Sequence, residues 1–196
     1  DGIGSSTGAV ITAGALGLPC AYLERLERET RIDPGVGADL AARLRGDCHT
    51  HTTWSDGGAS LEQMARAAMA LGHEYLVVTD HSPRLTIAHG LSPERLREQL
   101  AEIATWNERL APFRILTGME VDILVDGSLD LEDSLLEQLD VVVASVHSKL
   151  SMPRDEMTRR MVLAVASPHV DILGHCTGRK VVGRGRPASA SRAALK

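Results

Sequence analysis

With 196 residues the chain has room for one domain of ordinary size and a small appendage, and a second full domain would not fit. Hydrophobic residues at 43% and charged residues at 24% are the balance of a soluble globular protein, and no apolar run is long enough to suggest a membrane span. A net charge of −5 excludes an overall basic field for nucleic acid, and aromatics at 3% exclude a row of rings on which single-stranded bases could stack, so any nucleic-acid contact is local.

Cys20, Cys48 and Cys176 are odd in number, widely spaced and without a C-x-x-C. That argues against a disulfide framework or zinc ribbon and predicts a reducing cytoplasm. The first residue is Asp, and no charged segment precedes an apolar one at the start, so the chain reads as a fragment or trimmed product rather than a secreted precursor.

In chain order, Gly2-Ile3-Gly4-Ser5-Ser6-Thr7 comes first, followed by periodic segments at Ala9-Val10-Ile11 and Ala21 to Leu26. Gly-x-Gly ahead of a Ser/Thr-capped helix turns free backbone N–H groups outward, a ready phosphate site at Gly2, Gly4, Ser5, Ser6 and Thr7; an ordinary capped helix after a turn fits the same residues. Residues 31–43, with Asp33-Pro34-Gly35-Val36-Gly37, read as a linker. A main domain is expected over 44–180, and 181–196 is a low-complexity basic tail.

The first strand of that domain leads into Gly46-Asp47-Cys48-His49-Thr50-His51. Side chains on a strand alternate faces, so His49 and His51 share one side while Cys48 and Thr50 take the other. Two imidazoles on one face suit a metal, and Asp56 lies in the following polar turn, from which its carboxylate can fold back as a third ligand. A helix is predicted from Ser60, with Gln63 completing a capping box, Leu61, Met64, Ala68 and Leu71 on one face, and Gly72 as the stop. Tyr75 to Thr79 is the second strand. Ser92-Pro93 caps a helix lined by Leu96, Leu100, Ile103 and Leu110, and Phe113 to Thr117 is the third strand. A tight turn at 125–128 precedes a helix bearing Leu131, Leu135 and Leu139. Strand four is Val141 to Val146. A helix from Pro153 turns Met157, Met161 and Val165 inward, and strand five is Val170 to Leu173.

Strands alternating with helices imply parallel βαβ units with right-handed crossovers, an α/β fold with five strands. The strands also share a pattern. Thr79-Asp80-His81, Gly118-Met119-Glu120, Ser145-Val146-His147 and Gly174-His175 each follow an apolar run and end in His or Glu, and barrel enzymes keep their chemistry at strand carboxyl ends.

Taken together, His49-x-His51, Asp56, Thr79-Asp80-His81, Gly118-x-Glu120, Ser145-x-His147 and Gly174-His175 resemble the PHP domain, a metal-dependent phosphoesterase family named after polymerases and histidinol phosphatase. The likeness covers about 44–180 and extends, through Ser82-Pro83-Arg84, Gly90 to Glu94 and His175 to Arg179, to the PHP module found with bacterial family X DNA polymerases. It implies a distorted seven-stranded β/α barrel, here incomplete, and up to three divalent ions of the Zn, Mn or Fe kind, with fewer expected here. Under it, Glu120, His147 and His175 would complete one site, His49, His51 and Glu120 would serve a second, and Asp56 with His81 a third. A late Asp-x-His pair of the family does not follow His175, so the second and third sites each lack one ligand by that pattern. The N-terminal segment, 1–30, resembles the second half of a helix-hairpin-helix, a DNA-backbone clamp.

The chemistry implied is hydrolysis of a phosphomonoester or a DNA 3′ end by a metal-activated water, with Glu120, His49 and His51 central to catalysis. Lys149, Arg179 and Arg84 are candidates to hold phosphate oxygens. Asp80 is expected to orient a ligand histidine. His73, His89 and His169 lie off the pattern, and Cys48 and Cys176 are expected to be buried thiols pointing away from the metals. Two other readings compete. An amidohydrolase also carries His-x-His on its first strand, but would want a lysine late in a middle strand; a non-catalytic DNA-binding accessory module would use the barrel only as scaffold. Oligomeric state is left open by the sequence.

Overall fold

The computed structural model describes residues 5–16, 20, 24 and 37–176. The chain divides into two compact units, Asp1–Arg43 and Leu44–Lys196. In the first unit lie α1 (Ser5–Leu16) and a one-turn α2 (Ala38–Ala41), the latter within the stretch read as linker. Gly2, Gly4 and the second periodic segment fall outside the described residues, apart from Glu24.

The second unit alternates strand and helix: β1 (Gly46–Thr50), α3 (Leu61–Ala70), β2 (Tyr75–Val78), α4 (Pro93–Leu110), β3 (Arg114–Asp122), α5 (Asp133–Leu136), β4 (Val141–Ser145), α6 (Arg154–Val165) and β5 (Ile172–Leu173). All neighbouring strands pair in parallel, and their spatial order equals their chain order. That is the winding of an α/β barrel, here a curled five-stranded portion of one, with every strand's carboxyl end at the same edge. No helix among the described residues is long and apolar enough to cross a membrane.

Local chemistry explains most boundaries. Ser60 accepts from the Gln63 amide while the Gln63 side chain accepts from the Ser60 amide, closing the expected capping box of α3. Gly72 ends that helix at φ +82°, a conformation only glycine adopts freely. Ser92 caps α4, with Pro93 at its first position. The turn after Leu124 is a small hairpin: Leu124 and Gly127 amides close it, Gly127 sits at φ +90°, and Ile123 bridges Leu129 antiparallel.

Four expectations are corrected. The third strand does not stop at Thr117 but runs to Asp122, because it serves two neighbours in turn: Arg114 to Thr117 pair with β2, and Gly118 to Asp122 pair with β4. The changeover is at Gly118, where a Cβ would lie 2.7 Å from Val141 O, 2.9 Å from Val78 O and 2.9 Å from a Val77 methyl, so three strands meet only over a bare Cα. The helix bearing Leu131, Leu135 and Leu139 shrinks to Asp133–Leu136; the Gln138 and Leu139 amides reach back three residues instead of four, tightening the end, while all three leucines still pack on the core. Leu71, at 76% exposure, lies off the buried face of α3, and Ala65 takes its place. On α6 Val165 is half exposed and Met161 only half-buried; the inward residues are Met157, Arg160 and Ala164.

The core is aliphatic. Leu61, Ala65, Leu76, Ile103, Phe113 and Ile115 fill the space between α3, α4 and the β2–β3 face. Leu91, Leu96, Met119, Val121, Leu135, Leu136 and Val142 fill the next compartment. Each of the larger side chains among these contributes about 1.5–3 kcal/mol by leaving water, and this packing fixes the strand ends that carry the polar residues described next.

Candidate metal centre

Glu120 is 1% exposed and stands inside β3, where its two carboxylate oxygens face different sets of imidazoles. Oε1 lies 3.1 Å from His175 Nε2 and 3.4 Å from His147 Nε2. Oε2 lies 3.1 Å from His81 Nδ1, 3.5 Å from His51 Nε2 and 3.7 Å from His49 Nε2. Five histidines from four strand ends thus converge on one buried carboxylate. The register between β1 and β2 slips between Asp47 and Thr50, and that irregularity lies where His49 and His51 turn toward Glu120.

The imidazoles also crowd one another. His49 Nε2 and His51 Nε2 are 3.2 Å apart, His147 Nε2 and His175 Nε2 are 3.1 Å apart, and the His51 and His81 rings stack at 4.4 Å. Imidazole nitrogens this close are held together either by a shared proton or by a cation lying between them. Bonds of about 2.0–2.1 Å from a tetrahedral ion to its ligands set the ligands roughly 3.3–3.4 Å apart, and the His147, His175 and Glu120 atoms stand 3.1–3.4 Å apart, at or slightly inside that spacing. Among the described residues the Nδ1 atoms of His51 and His81 are buried without a hydrogen-bond partner, although His81 Nδ1 faces a carboxylate oxygen. A donor set of imidazole and carboxylate without thiolate suits zinc, manganese or iron.

Ligand atoms of His49, His51 and Glu120 lie within 4.8 Å of one another, as do those of His51, Asp56 and His81, and those of His81, Glu120 and His147. All seven predicted ligands are therefore brought together, and His51 faces the Asp56–His81 pair as well as Glu120. Asp56 is the outermost: its side chain is 48% exposed, with Oδ1 3.5 Å from His81 Nε2 and 3.9 Å from His51 Nδ1.

Electrostatics follow from burial and pairing. Burial opposes ionisation of Glu120, yet the hydrogen bonds from His147 and His175 outweigh it and hold the carboxyl far below the usual carboxylate range. Burial lowers the pKa of His49 and of His81, keeping their lone pairs free for a cation. His147 is different: burial opposes its charge, but the hydrogen bonds to Asp122 and Glu120 push it up to about 9.

Asp122 escaped the sequence reading. Its carboxylate, 6% exposed as a residue, accepts from His147 Nδ1–H, which fixes the ring and turns Nε2 toward Glu120 and His175. The signal was the alternation Gly118-x-Glu120-x-Asp122, which puts both acids on one face once the strand is extended to Asp122. Asp80, expected to orient a histidine, does something else. Fully buried, it accepts from the Thr52 amide at 2.8 Å, Thr52 Oγ1 at 2.6 Å, Gln99 Nε2 at 2.6 Å and Ser55 Oγ, so it anchors the loop that presents Asp56.

The candidate phosphate cations are less gathered. Lys149 is exposed in the turn after His147 at φ +54°. The Arg84 side chain is also exposed and pairs with Asp130 at 3.5 Å. Arg179 lies outside the described residues. His73 and His89 belong to none of the candidate ligand groups among the described residues, and His169 faces Asp133 at 3.7 Å. Cys48 turns to the Tyr75 hydroxyl at 3.8 Å, away from His49. Cys176 is exposed, not buried.

The PHP domain family profile matches residues 47–193 and so runs on beyond residue 180. The chain is 45% identical over 142 residues to the DNA polymerase/3′-5′ exonuclease PolX of Bacillus subtilis (strain 168), a match covering 72% of this chain and 25% of that protein. It is 34% identical over 134 residues to a probable phosphatase of Thermoanaerobacter sp. (strain X514), covering 66% of this chain and 52% of the phosphatase. A probable phosphatase of Aliivibrio fischeri (strain ATCC 700601 / ES114) is 33% identical over 141 residues, with 66% and 51% covered. The chain thus spans about half the length of these phosphatases and a quarter of the polymerase. With its profile matched over most of its length and its histidines gathered on Glu120, this chain belongs to the PHP domain family.

Proposed function

We propose that the chain is a metal-dependent phosphoesterase, with cations held on both sides of Glu120. The observation that supports this best is the bifacial contact of that buried carboxylate, Oε1 with His147 and His175, Oε2 with His49, His51 and His81. Divalent ions bound there supply Lewis acidity toward phosphate oxygens and bring water near neutral pKa. The protein's part is positional. Glu120 stays ionised, burial keeps His49 and His81 neutral, and Asp122 holds the Nδ1 proton of His147 so that Nε2 faces the ions. Asp56 stands at the outer side of the cluster, and Lys149, exposed two residues after His147, is assigned the phosphate oxygen on its position in the chain.

The ions are zinc, manganese or iron, and the substrate is a phosphomonoester or a DNA 3′ end. The 45% identity to a protein named a 3′-5′ exonuclease supports the DNA end, and with it a role in DNA repair; the phosphatase names support the monoester. DNA contact through Gly2, Gly4, Ser5, Ser6 and Thr7 rests on the sequence pattern, with 1–30 as a hairpin-like appendage to the 44–180 domain and the cytoplasm as its compartment.

The test is metal analysis of the purified chain alongside hydrolysis of p-nitrophenyl phosphate and of a 3′-labelled oligonucleotide. The expected result is bound transition metal and turnover of one of the two substrates, both lost when His49 and His51 are replaced by Ala. Unchanged hydrolysis in that double variant would discard the reading. Metal uptake without hydrolysis of either substrate would turn it into a non-catalytic module.

A further inference from the structure

The most unexpected residue in the core is a cation. Arg160, on the inner face of α6, is 1% exposed, and a charge so deep costs several kcal/mol unless its donors are satisfied. They are, and among the described residues all of its bonds go to carbonyl and hydroxyl oxygens. Nε donates to Leu124 O at 2.8 Å and to Ile123 O at 3.2 Å, Nη2 to Ile123 O and to Ser148 Oγ at 3.1 Å, and Nη1 to Ser148 O at 2.8 Å.

Those acceptors sit at two particular places. Ile123 and Leu124 directly follow Asp122 at the end of β3, and Ser148 directly follows His147 beyond the end of β4. Asp122 and His147 are the hydrogen-bonded pair that aims His147 Nε2 at Glu120 and His175. The ladder between the strands continues to Ile123, whose amide donates to Ser145 O at 2.7 Å, and beyond it the strand ends are bridged by the guanidinium.

We propose that Arg160 is a positioning residue for the metal centre: its planar fork sets the separation of the β3 and β4 ends and thereby holds the Asp122–His147 bond. The proposal rests on the metal-dependent reading for its functional meaning, though not for its geometry. A rigid five-donor fork spanning two loops is a task arginine performs and lysine, a point charge on a flexible stem, does not. Arg160→Lys keeps the charge and most of the stem, so it separates a need for geometry from a need for a buried cation or for packing. Arg160→Met keeps the packing alone.

The experiment uses the full chain with each substitution. Long-range ¹H–¹⁵N spectra of the metal-free protein read the His147 Nδ1–H signal, and equilibrium zinc binding is read on the same folded samples. The expected outcome is loss of that signal in both variants and a drop in zinc affinity of about 10–100-fold, the size found when partners of ligand histidines are removed, with Lys failing to rescue. If a folded variant keeps the signal and its zinc affinity, Arg160 is a structural cation only and the proposal is overturned; if Lys restores both, the fork is not what matters and it is overturned equally. Should the parent chain bind no zinc, manganese or iron, the phosphoesterase reading fails, while the Nδ1–H signal still decides the role of Arg160.

Discussion

Two buried aspartates beside the candidate metal centre support its candidate ligands in opposite ways. Asp122 touches a candidate ligand directly, bonding His147 Nδ1–H, and its charge helps raise that imidazole's pKa to about 9. Asp80 bonds no histidine; its charge is absorbed by an amide, two hydroxyls and a carboxamide, and it acts by shaping the Thr52–Ser55 turn that leads to Asp56. The first device tunes a ligand's electronics, and the second only places one. Where a carboxylate is spent on neutral donors, the histidines nearby are kept neutral by burial, as His81 is.

The strongest way to break both halves at once is at their shared member. Glu120→Gln keeps the side chain's size and removes the charge that both sets of imidazoles face. Metal content measured by plasma emission should fall to background on both sides, and hydrolysis with it. Retention of one ion per chain would mean that one side stands without Glu120.

Next in size is the contrast between the aspartates themselves. Asp122→Asn should weaken metal binding by about 10–100-fold, since the amide presents a donor to His147 Nδ1 in half of its orientations and carries no charge. Asp80→Asn should act on the fold first. It leaves donors on Thr52, Ser55 and Gln99 competing for one acceptor, a loss on the order of 1–3 kcal/mol read by urea denaturation, while zinc affinity of the folded chain changes less than in Asp122→Asn. Equal effects of the two substitutions on zinc affinity would erase the distinction drawn between them.

What the sequence disclosed and what it concealed follow the same line. His81, Glu120, His147 and His175 were legible as candidate ligands because each closes a segment that follows an apolar run, His49 and His51 by their alternation and Asp56 by its polar turn; the capping box at Ser60–Gln63 and the glycine stop at Gly72 are local signals. Asp122 was hidden by Gly118. A glycine followed by alternating acids reads as a strand's end, and only the non-local approach of Val141, Val77 and Val78 shows why the glycine is there and the strand continues. Arg160 was hidden for a related reason. An arginine among Thr158, Arg159 and Met161 reads as the solvated face of a helix, and its acceptors, Ile123, Leu124 and Ser148, come from loops far away in the chain. Asp80 was visible as a residue and misread in role, because Thr-Asp-His places it next to a ligand in sequence while its fully buried side chain faces the other way.

The smallest expected effect is on pH, and it sharpens the comparison without a substitution. In the metal-free chain His147 has a folded pKa of about 9, above the roughly 6.5 of an unfolded histidine. A group whose pKa is raised by folding stabilises the fold fully below its unfolded value and loses that contribution as pH climbs through the folded one. Stability of the metal-free chain should therefore decline between about pH 6.5 and 9 by thermal unfolding. Glu120, depressed by the same imidazoles, contributes above its unfolded value and loses that contribution in acid. A cation on His147 Nε2 competes with the proton there, so binding in the neutral range should release a proton from that side. Calorimetric titration with zinc in buffers of different ionisation enthalpy reads the release directly. His49 and His81, already neutral through burial, should release almost none, so a variant lacking His147 that still binds zinc should show a smaller proton release than the parent.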